Sequence, residues 1–432
     1  MFPRIFTLLL TTTALPVLAA ETLSPTVVSN TAPVSTTTPA RAATVKTEAR
    51  TIDQSIALAL KHPTLMSSEA RRQQAQSNLS VAKANRWFTL SGDAEAGVQH
   101  YDDEGNSGSA GVGAIGLSLN QPLIDGGRRR GAVHTAAEGL AAASENLAWQ
   151  QRQRSYIAAQ THINLWLAQE LVRNNADNVA QLENIVTEVR ARLTHAESTV
   201  TELAEAESRL ATARAIQAER ITALGAAQAS YLRDVGETAT TVAAPGEGPQ
   251  EEVGSYGLHP LVQAAQHAVE QAEGIYRQRK AGNWPTLDLR GRGSHNAFAG
   301  TTREEDASNA QLTLNLGYTF IDNGATRGEI AAAKAAKTEA TSELENTKLE
   351  VEAARLNAEA TSMEASRRVQ ESDRARAQTA KVIGSLTEEV KQGNRTLRDL
   401  LDARRDQLAS ANAWSQAYAN RALSNYDLAR WK

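Results

Sequence analysis

The chain has 432 residues, 22% of them charged and 41% hydrophobic, with a formal net charge of -4. That balance lacks the basic surplus of a nucleic-acid binder. Cysteine is absent, which excludes disulfides, thiolate catalysis and Cys-ligated zinc.

Residues 1–20 read as a secretory signal. Arg4 supplies the positive end, Ile5 to Leu18 an apolar run too short to span a membrane, and Val17 and Ala19 the small residues before a cut. No Cys follows the cut, so no lipid-acylated N-terminus is expected. Residues 21–50, rich in Thr, Pro and Ala, read as a disordered leader. No later segment has the apolar run of a membrane helix, so any membrane crossing must be made by strands.

From residue 51 the chain is written twice. His62-Pro63 recurs as His259-Pro260, Trp87 as Trp284, Ile124-Asp125 as Ile321-Asp322, and Glu202-Leu203 as Asp399-Leu400, always 197 positions apart. The first repeat covers 51–236 and the second 256–432, with a Gly/Pro/Thr/Glu linker at 237–255 between them. Each repeat predicts a helix, two strands, a very long helix and a shorter one. The first helix runs from about Ile52 to Arg86, broken at His62-Pro63. Phe88, Leu90, Ala94, Ala96 and Val98 then alternate with polar residues, a period of two. A loop is expected over Tyr101–Ser109, and a second strand carries Ile115, Leu117 and Leu119 on one face. The second repeat offers Leu287 and Leu289, a loop over Thr301–Ser308, and Leu312, Leu314, Leu316, Tyr318 and Phe320. Long helices are predicted at about 125–192 and 325–392, each roughly 100 Å. Val179, Leu182, Val186, Val189 and Leu193 carry coiled-coil spacing. Return helices follow at about 199–235 and 395–430.

Four strands with a polar inner face cannot close a membrane barrel, which needs about eight. An unclosed sheet in lipid leaves edge amides unpaired, at several kcal/mol each. The strands must therefore be completed by other copies of the chain. A soluble sheet with one wet face explains strand alternation equally well, but not the export signal, the duplicated hairpins and the outsized helices together.

Two segments carry a family resemblance. Gln121-Pro122-Leu123-Ile124-Asp125-Gly126-Gly127-Arg128-Arg129 resembles the strand-to-helix junction of the TolC-like outer-membrane efflux proteins. Gly393-Asn394-Arg395-Thr396-Leu397-Arg398-Asp399-Leu400-Leu401-Asp402-Ala403 resembles their second periplasmic turn. The resemblance spans 51–432. It implies a mainly α chain with membrane β structure: a subunit of a trimeric 12-stranded outer-membrane barrel continuous with a periplasmic helical barrel. It implies a passive exit duct in the outer membrane, with no enzymatic activity and no cofactor. The implied partners are a homotrimer, outer-membrane lipid, a periplasmic adaptor and an energised inner-membrane transporter, either ABC or proton-driven. Asn178 to Arg220 is similar to the branch that serves type I protein secretion; small-molecule efflux is the other cargo class. The resemblance also places Asp399 and Asp402 in an acidic ring at the periplasmic entrance. It pairs Arg395 with Thr201 and Glu202 to hold that entrance shut, and puts Val390 where a latching tyrosine is usual. From spacing alone, Asp399 and Asp402 would be an ordinary solvated acidic face.

The alternative reading is a periplasmic coiled-coil adaptor or scaffold, which would carry one helical hairpin between compact β domains. The acidic loops Tyr101–Glu104 and Arg303–Asp306 are expected to face the exterior, and no transport role is assigned to them. Gly111-Val112-Gly113-Ala114-Ile115-Gly116 matches a dinucleotide-binding pattern, but a strand is expected to run through it. The eight histidines form no ligand set, and surface or packing roles are expected for them.

Overall fold

The computed structural model describes residues 49–103, 106–249, 258–299 and 307–432. The signal segment, nearly all of the leader and the loop Arg303–Asp306 lie outside the described residues.

The duplication is a duplication of structure. Helix α1 (Ile52–Ala59) starts with a capping box in which Thr51 and Gln54 satisfy each other's backbone N–H groups. Helix α2 (Pro63–Ala84) and its counterpart α5 (Pro260–Lys280) both begin at a histidine N-cap followed by proline, a ring already shaped for the first helical turn. Strands β1 (Thr89–Asp103) and β2 (Asn106–Ile124) form the first hairpin, β3 (Thr286–Ala299) and β4 (Ala307–Gly317) the second. A single 3-10 turn, Ala281–Asn283, links α5 to β3.

The long helices α3 (Arg128–Thr194) and α6 (Ala325–Lys391) have 67 residues each and start 197 positions apart. Each starts at a left-handed glycine, Gly127 or Gly324. The aspartate two residues earlier caps it. Asp125 accepts from the N–H groups of Gly127 and Arg129 at 3.1 and 2.9 Å, and Asp322 from those of Gly324 and Thr326 at 3.0 and 2.8 Å. These caps satisfy amides that the helix itself leaves open, and they hold both carboxyls below the ordinary aspartate range. For Asp125, burial opposes that shift, and the Arg129 side chain and two backbone N–H groups outweigh it. Asp322 is lowered chiefly by Thr326. The return helices α4 (Val200–Val235) and α7 (Leu397–Trp431) open with Thr199/Glu202 and Thr396/Asp399 capping boxes, again at matched positions.

The sheet is antiparallel in the order β1-β2-β3-β4, and β1 and β4 are its open edges. Both strands of the first hairpin outrun the expected loop: pairing continues to Asp103↔Asn106. Near the hairpin tip both faces can be wet, so alternation fades while the ladder persists. At the other end β4 stops at Gly317, short of the expected Phe320. Its last partner is Thr286, and Pro285 before it has no N–H to donate. The glycine-rich segment 111–116 lies within β2.

Two apolar clusters hold the helices. One lies at mid-height around Ala158, Ile163, Trp166, Tyr231, Val235 and Ala419. The other lies at the far end and joins the expected seam residues Leu182, Val186 and Val189 to Leu210, Leu400 and Leu401. The 237–255 linker is more than a tether. Its residues 241–247 form a strap across the mid-height cluster. Arg50 pairs with Val242, so this residue, read as the end of the leader, already belongs to the fold. The fully buried His162 donates from Nε2 to the Ala243 carbonyl at 3.0 Å, and its Nδ1 lies 2.9 Å from the Ser55 hydroxyl. Tyr418 donates to the Pro245 carbonyl at 2.6 Å.

Candidate functional site

Register sorts the sheet into two chemically different faces. Leu90, Leu119, Gly291 and Leu312 align across all four strands, and Ala94, Ile115 and Gly92, Leu117 continue that face. Leu117, Leu312, Leu314 and Leu316 are all well exposed, so this apolar face is covered by nothing in the subunit. The opposite face aligns Ser91, Ser118, Arg292 and Gln311, with Asp93, Ser294 and Asn309 one step further. Apolar groups belong against lipid and polar ones against water, so the second face lines an aqueous passage. No helix among the described residues is long and apolar enough to cross a membrane. The sheet is the membrane element.

At the far end of the helices, the turns between α3 and α4 and between α6 and α7 sit side by side. Sequence reasoning named five residues here. Glu202 caps α4, accepting from the Thr199 N–H at 2.9 Å and the Ser198 hydroxyl at 2.7 Å. These bonds, the Ser198 hydroxyl first, hold its carboxyl below the usual range. Asp399 caps α7, accepting from the Thr396 hydroxyl at 2.9 Å and its N–H at 3.2 Å, and is lowered for that reason. Thr201 is exposed on the first turn of α4. Arg395 donates to Glu389 at 3.3 Å. Within one subunit, therefore, the expected Arg395–Glu202 contact is not made: each side chain is engaged on its own hairpin. Val390 joins the apolar cluster instead of donating a hydrogen bond.

Asp402 does bridge the two repeats, through a partner the sequence did not suggest. Arg209 on α4 donates to it at 3.0 Å, and Arg405 lies 3.5 Å away on its own helix. Glu205, which occupies the position of Asp402 in the other repeat, is bound in turn by Arg398 at 3.1 Å. Each hairpin thus offers one carboxylate to one arginine of the other. The signal was available: two carboxylates 197 apart, with Arg398 on the turn already singled out. Reading along one helix shows only neighbours three and four positions away, and these partners are 193 apart. No group of His, Cys, Asp and Glu able to hold a metal occurs among the described residues.

Comparison with known proteins places this architecture. The family model described as outer membrane efflux protein matches residues 55–233 and again 257–431. The chain is 27% identical over 324 residues to the outer membrane efflux protein BepC of Brucella suis biovar 1 (strain 1330), covering 73% of this chain and 71% of that protein. It is similar in fold to a membrane protein of Pseudomonas aeruginosa at a TM-score of 0.78 and 18% identity, covering 88% of this chain and 93% of the other. It is also similar to the outer membrane protein VceC of Vibrio cholerae, at a TM-score of 0.75 and 19% identity, covering 88% and 95%.

Proposed function

The chain belongs to the outer membrane efflux protein family, and from that premise we propose that three copies close one 12-stranded barrel and one helical tunnel. It is a passive exit duct of the outer membrane, not an enzyme. One observation supports the trimer above the rest: a four-stranded sheet with two open edges and an uncovered apolar face. Its edge amides need partners in lipid, and further copies of the same sheet supply them. A soluble coiled-coil scaffold has no use for such a sheet.

In this reading the polar sheet face and the helices enclose one water-filled path, and the helical end faces the periplasm. There a periplasmic adaptor and an energised inner-membrane transporter deliver cargo, for type I protein secretion or small-molecule efflux. Asp399 and Asp402 ring the entrance, six carboxylates in a trimer, and attract cations to it. Arg395 exchanges its weak hold on Glu389 for Thr201 and Glu202 of the partner subunit, tying neighbouring hairpins together. Mass measurement of the detergent-solubilised protein should give a trimer that conducts ions in planar bilayers. A stable, non-conducting single subunit would remove the reading. Arg395→Ser should raise single-channel conductance; an unchanged value would remove the role given to Arg395.

A further inference from the structure

Around the junction of sheet and helices, two cations stand without carboxylates. Arg130 on α3 and Lys280 on α5 are exposed, and neither side chain has a hydrogen-bond or ion-pair partner among the described residues. Both line a groove of about 440 Å³ with His134, Arg277 and Trp284. Arg277 meets Glu273 at 2.8 Å, but Glu273 also takes Lys337 at 3.0 Å, so a single carboxylate is shared by two cations. His134 lies 3.7 Å from Glu138 and 3.6 Å from Glu270, neither of which lines the groove. The groove is therefore net positive. Trp284 borders it with 62% of its surface exposed. It rests against Gly126, where an added Cβ would lie 2.8 Å from the Trp284 Cβ, so that glycine permits the close approach.

In the duct proposed above, the groove opens on the outside of the wall. From His134, two steps of seven along α3, a drift of only about 40°, reach Ala148, which with Ser155 lines a pocket bordered by the strap residues Ala243 and Gly246. His162 and Gln169, further along α3, bind the strap at Ala243 and at Val242. A second layer on a wall that encloses a passage has room only outside. His134 and its groove share that side, directly below the apolar band that ends at Ile124↔Leu287.

We propose that this groove binds the phosphodiester headgroup of an anionic phospholipid of the periplasmic leaflet, with the acyl chains lying along the apolar sheet face. Arg130 can present two parallel N–H donors to phosphate and Lys280 a compact charge. Trp284 has the half-apolar, half-polar ring that settles at a membrane–water boundary. The duplication supplies the same groups again, since Lys83, Trp87 and Arg327 stand 197 positions from Lys280, Trp284 and Arg130. In one subunit α2 packs on α3, while α6 packs beyond α5. Lys83 and Arg327 therefore lie on opposite flanks, and their groove is completed only between neighbours. This count of six grooves, three within and three between subunits, rests on the trimeric duct proposed above.

The test is native mass spectrometry of the full chain in detergent, titrated separately with phosphatidylglycerol, phosphatidylethanolamine and inorganic phosphate. Phosphatidylglycerol adducts should exceed phosphatidylethanolamine adducts at least fivefold. Arg130→Gln with Lys280→Gln disarms the three grooves within subunits and leaves the three between them, so it should reduce that preference by roughly 1.5- to twofold, and Arg130→Lys should retain most of it. Equal retention of the two lipids overturns the proposal, as does a double variant that binds phosphatidylglycerol like the parent. Retention of inorganic phosphate as strong as that of the lipid would replace it with a free-anion site. Conductance of the double variant should match the parent. A parent that binds the lipid but conducts nothing would count against the duct and leave the groove standing.

Discussion

Removing Arg209 should open the periplasmic entrance. Its bond to Asp402, at 3.0 Å, ties the two hairpins of a subunit together, with the side chains 36% and 41% exposed. A pair this exposed contributes about 0.2–1 kcal/mol. At about 0.5 kcal/mol per subunit, three pairs amount to about 1.5 kcal/mol, roughly a tenfold change in the ratio of open to closed channels. Two features bound the effect from above. Arg405, 3.5 Å from the same carboxylate, remains to neutralise it, and the cluster of Leu182, Val189, Leu210 and Leu401 still holds the hairpins. The informative comparison is Arg209→Ala against Asp402→Asn. Both break the bond, but the first leaves three carboxylates that only Arg405 still screens, to repel across a narrow mouth, and the second removes them. Arg209→Ala should therefore show the higher open probability in planar bilayers. The gap between the two should shrink with added salt, which screens beyond about 8 Å at 0.15 M. Wild-type closure in both variants, or a wider opening in Asp402→Asn, would refute the reasoning.

Acid should loosen the assembly through buried histidines. His259 is enclosed by Trp149 and Trp431, with ring centroids 5.2 and 5.7 Å away, and burial, reinforced by the charge of Arg152, pushes it down to about 4; burial lowers His162 as well. The unfolded imidazole titrates near ~6.5, so below that pH the unfolded chain binds the extra proton. The stabilising contribution is whole above pH ~6.5 and is lost as pH falls toward the folded value. The heat-dissociation midpoint should drop between pH 7 and 4, and His259→Asn, which keeps an N-cap acceptor, should flatten the slope; an equally steep slope in the variant would count against it. On the sheet, Leu117→Arg should cost about 2–4 kcal/mol at the bilayer midplane and abolish heat-modifiable trimers, while Ser118→Arg on the adjacent polar face should assemble; equal assembly of the two would reverse the assignment of faces.

Much of this architecture could be read in the sequence because the chain states it twice. A single Asp-Gly-Gly or Gly-Asn-Arg-Thr segment is weak punctuation. The same kind of segment at a fixed offset of 197 fixed the start of α6 at Ala325 and placed those of α3, α4 and α7 within three residues of where the structure has them. What escaped was whatever local periodicity does not encode. The strap over residues 241–247 mixes small apolar residues with one Thr, one Pro and one Gly and carries no helix or strand periodicity, and it is ordered by contacts with His162, Gln169 and Tyr418, far away in the chain. The hairpin tips lost their alternation once both faces could be wet. Of the residues proposed for the entrance, Glu202, Asp399 and Arg395 hold groups of their own hairpins, and only Asp402 takes a partner set by packing of one repeat on the other.

The departures from the repeat carry the functional argument. Backbone geometry is nearly the same in the two hairpins, down to the turn residue, Ala196 at φ 62° and Gly393 at φ 74°. The glycine reaches this conformation and its alternatives at little cost, where the alanine has few alternatives, so the second turn has more freedom to rearrange. The side chains diverge too: Thr201 in one repeat answers to Arg398 in the other, and Arg209 to Asp406. If both copies had kept the same residues, Glu205 and Asp402 would have had equivalent surroundings. As it is, each carboxylate meets an arginine that exists only in the opposite hairpin. A tube of two equivalent hairpins per subunit could widen or narrow only as a whole. In the proposed trimer, unequal hairpins joined by exposed ion pairs would let one swing while the other stays with the wall, the barrel above being fixed by lipid.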